Sequence, residues 1–233
     1  MKITKSQLNI FSYCPFRFFR EYILKIKYPP NESMMSGTRL HDFFDWFFKH
    51  WNELPPEKWE LFIPDEFTPK EKEMCNVFFK GEKDRLDGLR SLGLEDEFVP
   101  PFSEAHFDLG DKDLHGYIDR IDYWDKERKE FVIVEYKTGW GHNVTKLKQE
   151  LAFYKMLFEE KGCGTVPYYL VINPNRRVRE YIKASSRGVS AAKKRVAILR
   201  EAIEKNDFPK QCSPDKKKYC RHCDDGDCYP HQL

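Results

Sequence analysis

Gly116-Tyr117-Ile118-Asp119-Arg120-Ile121-Asp122 and Val132-Ile133-Val134-Glu135-Tyr136-Lys137, separated by the charged stretch Asp125 to Glu130, decide the fold. Two apolar runs around a polar turn read as a β-hairpin, and each carries an acid where a buried strand is ordinarily apolar. Side chains alternate along a strand, so Glu135 and Lys137 share one face while Val134 and Tyr136 take the other. Asp119 joins that face if it pairs with Glu135 or Lys137, which a turn of about three residues near Glu127 gives. Val132-Ile133-Val134 is an unbroken apolar run, as in a strand covered on both sides, so the carboxylates and the lysine are expected to leave bulk water. Buried carboxylates are normally paired or bound to metal, and two together favour a hard divalent cation, Mg²⁺ or Mn²⁺. A lysine beside such an ion suits positioning a phosphate and its attacking water. The competing reading is a hairpin whose acids are only ion-paired at a sheet edge.

Asp119, then Glu135-Tyr136-Lys137 followed by Thr138-Gly139, resembles the active-site signature of the PD-(D/E)XK nucleases, and the wording around Asp119 resembles their RecB-type branch. That resemblance implies an α/β fold with a restriction-endonuclease-like core, a mixed β-sheet flanked by helices. It also implies Asp119, Glu135, His41 and the Tyr136 backbone carbonyl as ligands of one or two Mg²⁺ or Mn²⁺ ions, with Lys137 orienting the nucleophile. From the residues alone His41 is a core histidine: Leu40, Phe43, Phe44, Phe47, Phe48 and Trp51 recur at helical spacing, and His41 shares the side of Phe44 and Phe48. Its place shortly after Gly37 is what the resemblance turns into a ligand.

Downstream, Leu147, Leu151, Tyr154 and Phe158 follow a helical period, the helix expected against the catalytic strands. RecB-type relatives place a glutamine four residues before a tyrosine here. In this chain Glu150 holds the four-residue spacing to Tyr154 and Gln149 stands one residue earlier, so the catalytic-helix role falls on either one, with Tyr154.

Seven cysteines occur, at positions 14, 75, 163, 212, 220, 223 and 228. An odd count without a signal-peptide pattern or a transmembrane run argues against a secreted disulfide framework and for an intracellular, cytoplasmic setting. Cys220, Cys223 and Cys228 supply three thiolates, which His222 or His231 completes for zinc. An iron-sulfur cluster is the other reading. Tyr13-Cys14-Pro15 resembles the opening of RecB-type nucleases that hold a 4Fe-4S cluster, which implies Cys14 as its fourth ligand and the cluster as a staple between the chain's two ends. Cys212 is near enough to substitute, whereas Cys75 and Cys163 read as core or surface thiols.

The net charge of the 233 residues is only +2, so no broad basic field marks the chain, and local pairs matter more: Arg17 with Arg20, and Lys146 with Lys148, are the expected nucleic-acid contacts. Helices are expected over 6–23, 38–53, 69–91, 145–161 and 189–203, and strands over 102–109, 114–124, 131–136, 165–172 and 178–183. The chain is expected to form one nuclease domain, 1–233, with a helical insertion over about 54–100. A cysteine-rich tail, 207–233, is expected to pack on residues 1–25. The resemblance, most marked to the stand-alone CRISPR-associated RecB-type exonucleases and their viral relatives, implies a single-stranded DNA exonuclease with an endonuclease component. The rivals are a nucleic-acid-binding module with structural zinc and a structure- or sequence-specific endonuclease.

Overall fold

A computed structural model describes residues 1–26, 29–141 and 143–210. Five strands form one sheet in chain order: β1 (Phe102–Leu109), β2 (Leu114–Asp125), β3 (Glu130–Tyr136), β4 (Thr165–Asn173) and β5 (Val178–Lys183). Neighbours are antiparallel except β3 and β4, which run parallel and are joined by the crossover helix α5 (Val144–Glu160). The sheet is therefore mixed and flanked by helices, as expected.

β3 lies at the centre and is buried from Phe131 to Tyr136. Its odd-numbered Ile133 enters a core with α1 (Lys5–Tyr13), α5 and α6 (Ser186–Lys205), while Val132, Val134 and Tyr136 enter a second core with α3 (Glu32–His50) and α4 (Pro69–Ser91). The unbroken apolar run thus serves two cores at once. Gly116 lets the first core close: a Cβ there would come within 3.0 Å of the Tyr154 ring on α5.

Helix starts follow local capping chemistry. Thr4 and Gln7 form a reciprocal capping box at α1, Thr68 and Glu71 form another at α4, and Asn31, Asn143 and Ser185 cap α3, α5 and α6. Three expected boundaries move. The first helix breaks at Cys14, whose backbone is extended because it precedes Pro15, and resumes as α2 (Pro15–Phe18) and a π-helical turn, Phe19–Ile23. α3 begins at Glu32, six residues before the expected Thr38, because Asn31 accepts from the Met34 amide at 2.9 Å. The β2–β3 turn spans residues 126–129, one longer than expected, and a register irregularity between Tyr123 and Asp125 absorbs the difference. Within the expected helical insertion, residues 56–62 form a 3₁₀ helix that buries Trp59.

Candidate active site

Register brings the acids together. Arg120 pairs with Val134 and Ile121 with Ile133, so the next step along the ladder sets Asp119 beside Glu135, on the odd-numbered face. Glu135 is 3% exposed and Asp119 9%. Lys137, one alternation further on, places Nζ 2.7 Å from Glu135 Oε1 and 3.3 Å from Glu150 Oε2 on α5. Asp119 Oδ2 accepts from the Tyr136 amide at 2.9 Å, which ties the two strands where β3 ends.

A second lysine reaches the same oxygen. Ile3 bridges to Leu114, its amide donating to the Asp113 carbonyl at 2.8 Å and its carbonyl accepting from the His115 amide at 3.0 Å, which fixes the start of α1 against β2. From there Lys5 extends to within 2.6 Å of Glu135 Oε1, with its ammonium 4.5 Å from the centre of the Tyr154 ring. Both ammonium groups crowd Oε1. Glu135 Oε2 is buried without a hydrogen-bond partner among the described residues.

The electrostatics follow from that layout. Burial works to raise the Glu135 pKa, but Lys5 and Lys137 outweigh it and hold the carboxyl down at about 2. Asp119 goes the other way: burial, then repulsion from Glu135, push it up to about 6. Burial opposes the charge of Lys137, yet Glu135 raises its pKa, so the amine stays protonated.

On the other side of Asp119 stands His41, on α3. Its Nδ1 lies 3.6 Å from Asp119 Oδ2 and 3.8 Å from Glu104 Oε1, and its ring meets Tyr136 edge-on at 5.8 Å. Burial lowers its basicity, but Glu104 and Asp119 turn the net shift upward. Glu104 escaped the sequence reading. It sits in β1 opposite Asp119, between the pairs Ser103↔Arg120 and Ala105↔Ile118, with a left-handed φ of 43° that a glutamate in a strand does not otherwise adopt. His41, Glu104 and Asp119 offer ligand atoms that all lie within 4.8 Å of one another. Together with the orphaned, ionised Oε2 of Glu135, this imidazole and carboxylate set suits a divalent cation such as Mn²⁺ or Mg²⁺.

The structure separates the two candidates on α5. Glu150 is buried and faces Lys137, whereas Gln149 is exposed and lines a cavity of about 360 Å³ with Lys148, Lys194 and Arg195. Tyr154 is buried beside Lys5. Lys146 stays near the site, its Nζ 3.9 Å from Glu150 Oε1, while Lys148 belongs to the cavity on the other side of α5. Arg17 pairs with Glu21 at 2.7 Å, and Arg20 is half-buried in the π turn. Cys14 is 2% exposed. Cys212, Cys220, Cys223 and Cys228, with His222 and His231, lie outside the described residues, so the cysteine site rests on sequence alone.

The model of the PD-(D/E)XK nuclease superfamily matches residues 2–226. A component of an ATP-dependent helicase/deoxyribonuclease from Clostridium tetani (strain Massachusetts / E88) is 26% identical over 178 residues, covering 60% of this chain but only 16% of that protein. A crystal structure named for an exonuclease of Eubacterium rectale superposes with a TM-score of 0.54 at 10% identity, covering 94% of this chain and 88% of the other, a likeness of fold. No helix among the described residues is long and apolar enough to cross a membrane. A signature that spans nearly the whole sequence, on a mixed sheet that gathers Asp119, Glu135 and Lys137 at one strand end, places this chain in the PD-(D/E)XK nuclease superfamily.

Proposed function

We propose that this nuclease is a divalent-metal-dependent enzyme that hydrolyses DNA phosphodiesters, working on single strands from their ends. One observation carries the reading: Glu135 is ionised, nearly fully buried, and has one oxygen clamped by two lysines while the other has no partner among the described residues. A buried carboxylate oxygen in that condition costs stability unless a cation completes it.

In this reading Asp119, Glu135, His41 and the Tyr136 carbonyl hold the ion, and Glu104 adds a further oxygen on the His41 side. When bound, the ion lowers the pKa of a coordinated water and offsets charge on the phosphate. The remaining work falls to the protein's side chains. Lys137, kept protonated by Glu135, donates to the attacking water or to the phosphate oxygens as charge builds there, and so cannot serve as the base. Glu150 holds Lys137 from the α5 side, and Lys5 fixes Glu135 Oε1 so that Oε2 keeps its direction. Hydrolysis joins the water oxygen to phosphorus as the ester bond breaks; the attacking water gives up one proton to solvent and the departing oxygen takes one from it.

The choice of DNA, and of ends, follows the sequence resemblance and the names of the relatives, a helicase/deoxyribonuclease component and an exonuclease. The test is a substrate panel with Mn²⁺: linear single-stranded DNA, linear duplex, circular single strands and RNA. Digestion of the linear single strand with the circle left intact is expected. Cleavage of the circle would make the enzyme an endonuclease, and inertness toward every substrate would overturn the reading.

The cysteines form a second part of the proposal: Cys14 with Cys220, Cys223 and Cys228 binds an iron-sulfur cluster. In support, Cys14 is buried, and Phe18 and Phe19 stack on Phe208 at 5.8 and 5.2 Å, so the chain sets out toward its tail beside the Cys14 segment. Cys223→Ala should bleach the visible absorbance of anaerobically purified protein and lower its stability. A colourless parent protein containing zinc would replace the cluster with a zinc site.

A further inference from the structure

Three residues beyond Lys137 stands the most exposed of the five tryptophans, Trp140, with 70% of its surface in solvent. An open indole of this size is ordinarily a sign of mobility or of a partner, and the loop beneath it is not built to move. Asn173, itself fully buried, donates Nδ2 to the Gly139 carbonyl at 3.0 Å. Asn175 Nδ2 donates to the Thr138 carbonyl at 3.1 Å, and Arg176 Nη1 to the Trp140 carbonyl at 3.2 Å. Three successive carbonyls are thus held by the β4–β5 turn. On the opposite side α3 closes in, since a Cβ on Gly37 would stand 3.3 Å from Thr138 Oγ1. The backbone is clamped and the ring is left outside.

Its surroundings are basic. Lys70, at the start of α4, holds Nζ 5.3 Å from the ring centre, and the Arg176 guanidinium lies at the Trp140 carbonyl. A flat aromatic face on a rigid loop, flanked by cations, is how proteins hold unpaired bases while contacting the adjoining phosphates. Three residues reach at most about 10 Å, so the ring stands within a neighbouring nucleotide's reach of the Lys137 end of the site.

We propose that Trp140 is a stacking platform for an unpaired nucleobase next to the scissile phosphate, with Lys70 and Arg176 beside the flanking phosphates, and that this platform gives the enzyme its preference for single strands. The inference rests on the nuclease reading above. A paired base inside a duplex has both faces covered by its neighbours and cannot use the platform; an unpaired one can.

The test compares full-length Trp140→Ala and Trp140→Phe, each in a Glu135→Ala background that stops hydrolysis, in binding a single-stranded oligonucleotide with Mn²⁺ present. Trp140→Ala should weaken binding about tenfold or more, and Trp140→Phe should keep most of it. An abasic oligonucleotide should bind both proteins alike, and blunt duplex should bind with unchanged affinity. Equal affinity of the alanine variant for the intact oligonucleotide, or an equal loss for the duplex and abasic probes, would overturn the platform. A parent that digests DNA while Trp140→Ala binds normally would refute this inference alone. A parent inert on all DNA, with the binding loss still present, would refute the nuclease reading alone.

Discussion

Two clusters of buried charge lie back to back across the β2–β3 hairpin, and they are balanced in opposite ways. On the even-numbered face Arg120, fully buried, donates Nε and Nη2 to the two oxygens of Asp122 at 2.7 and 2.6 Å, and Nη1 to Glu82 at 3.0 Å and to the Tyr136 hydroxyl at 3.1 Å. Glu82 also takes Arg85 at 2.8 Å and Arg179 at 3.1 Å. None of the Arg120, Asp122 and Glu82 side-chain atoms is left without a partner, and the guanidinium packs 4.5 Å from the Phe48 ring. On the odd-numbered face Asp119, Glu135, Glu104 and Glu150 meet Lys5, Lys137, a histidine and, at 3.9 Å from Glu150, the exposed Lys146, and among the described residues one buried Glu135 oxygen remains unmet. Equal burial does not mean equal purpose. The first cluster is complete and fastens α4 to the sheet; the second has a surplus of negative charge at one point, which is what a cation site requires.

The largest effect should come from changing the unbalanced side. Glu135→Ala should lower DNA cleavage by about 10³-fold or more, read per folded molecule, because it removes a ligand of the proposed cation; it also strands the ammonium groups of Lys5 and Lys137, so some stability goes with it. Lys137→Ala should lower cleavage as far and also lower stability, because it enlarges the negative surplus. A marked loss of stability in Glu135→Ala, with activity per folded molecule retained, would make the two clusters alike. Glu82→Gln should do the reverse. Removing one partner from a buried network costs about 3–5 kcal/mol, read by denaturant unfolding, with cleavage per folded molecule little changed.

Lys5→Met should act between these limits. Without its ammonium, the Glu135 carboxyl loses the stronger of its two attractive partners and takes up protons more readily, so cleavage should fall mainly at the acid end of its pH profile and recover as pH rises. A uniform loss at every pH would assign Lys5 to contact with substrate instead.

The smallest and most diagnostic difference is the pH dependence of stability in metal-free protein. Glu82 is held well below the usual carboxylate range: burial opposes its charge, but Arg120, Arg85 and Arg179 outweigh it. Its contribution is therefore present above the ordinary glutamate pKa and is lost as pH falls below it. Asp119, raised to about 6, binds its proton more tightly folded than unfolded, so its contribution is lost as pH rises from about 4 to about 6. Thermal unfolding across this range should show the falling limb flattened in Asp119→Asn and the acid-side loss flattened in Glu82→Gln. Identical profiles in the two variants would contradict the comparison.

The hairpin was legible because strand alternation and one turn fix which face each residue takes; the pairing of Arg120 with Val134 is one of the two registers that pattern allows, and the structure selects it. The helices were legible from their apolar spacing, and the break at Cys14 was available in the proline after it. Glu104 was not legible. Its role depends on a left-handed φ in mid-strand, which no local residue pattern announces. Lys5 was hidden for a different reason: Thr4 and Gln7 signal the start of a helix, but only the bridge from Ile3 to Leu114, over a hundred positions away, aims that helix at Glu135. The balance between the clusters was equally non-local, because Glu82 and Arg120 meet across two elements that share no sequence pattern.

The most direct test is the Mn²⁺ dependence of cleavage of end-labelled single-stranded DNA by the parent, Glu135→Ala and Glu82→Gln, each measured as rate per folded molecule. Metal-dependent cleavage by the parent and by Glu82→Gln, abolished in Glu135→Ala and by EDTA, is the predicted result. Cleavage that persists in Glu135→Ala, or that needs no metal, would contradict the assignment of the unbalanced cluster as the catalytic centre.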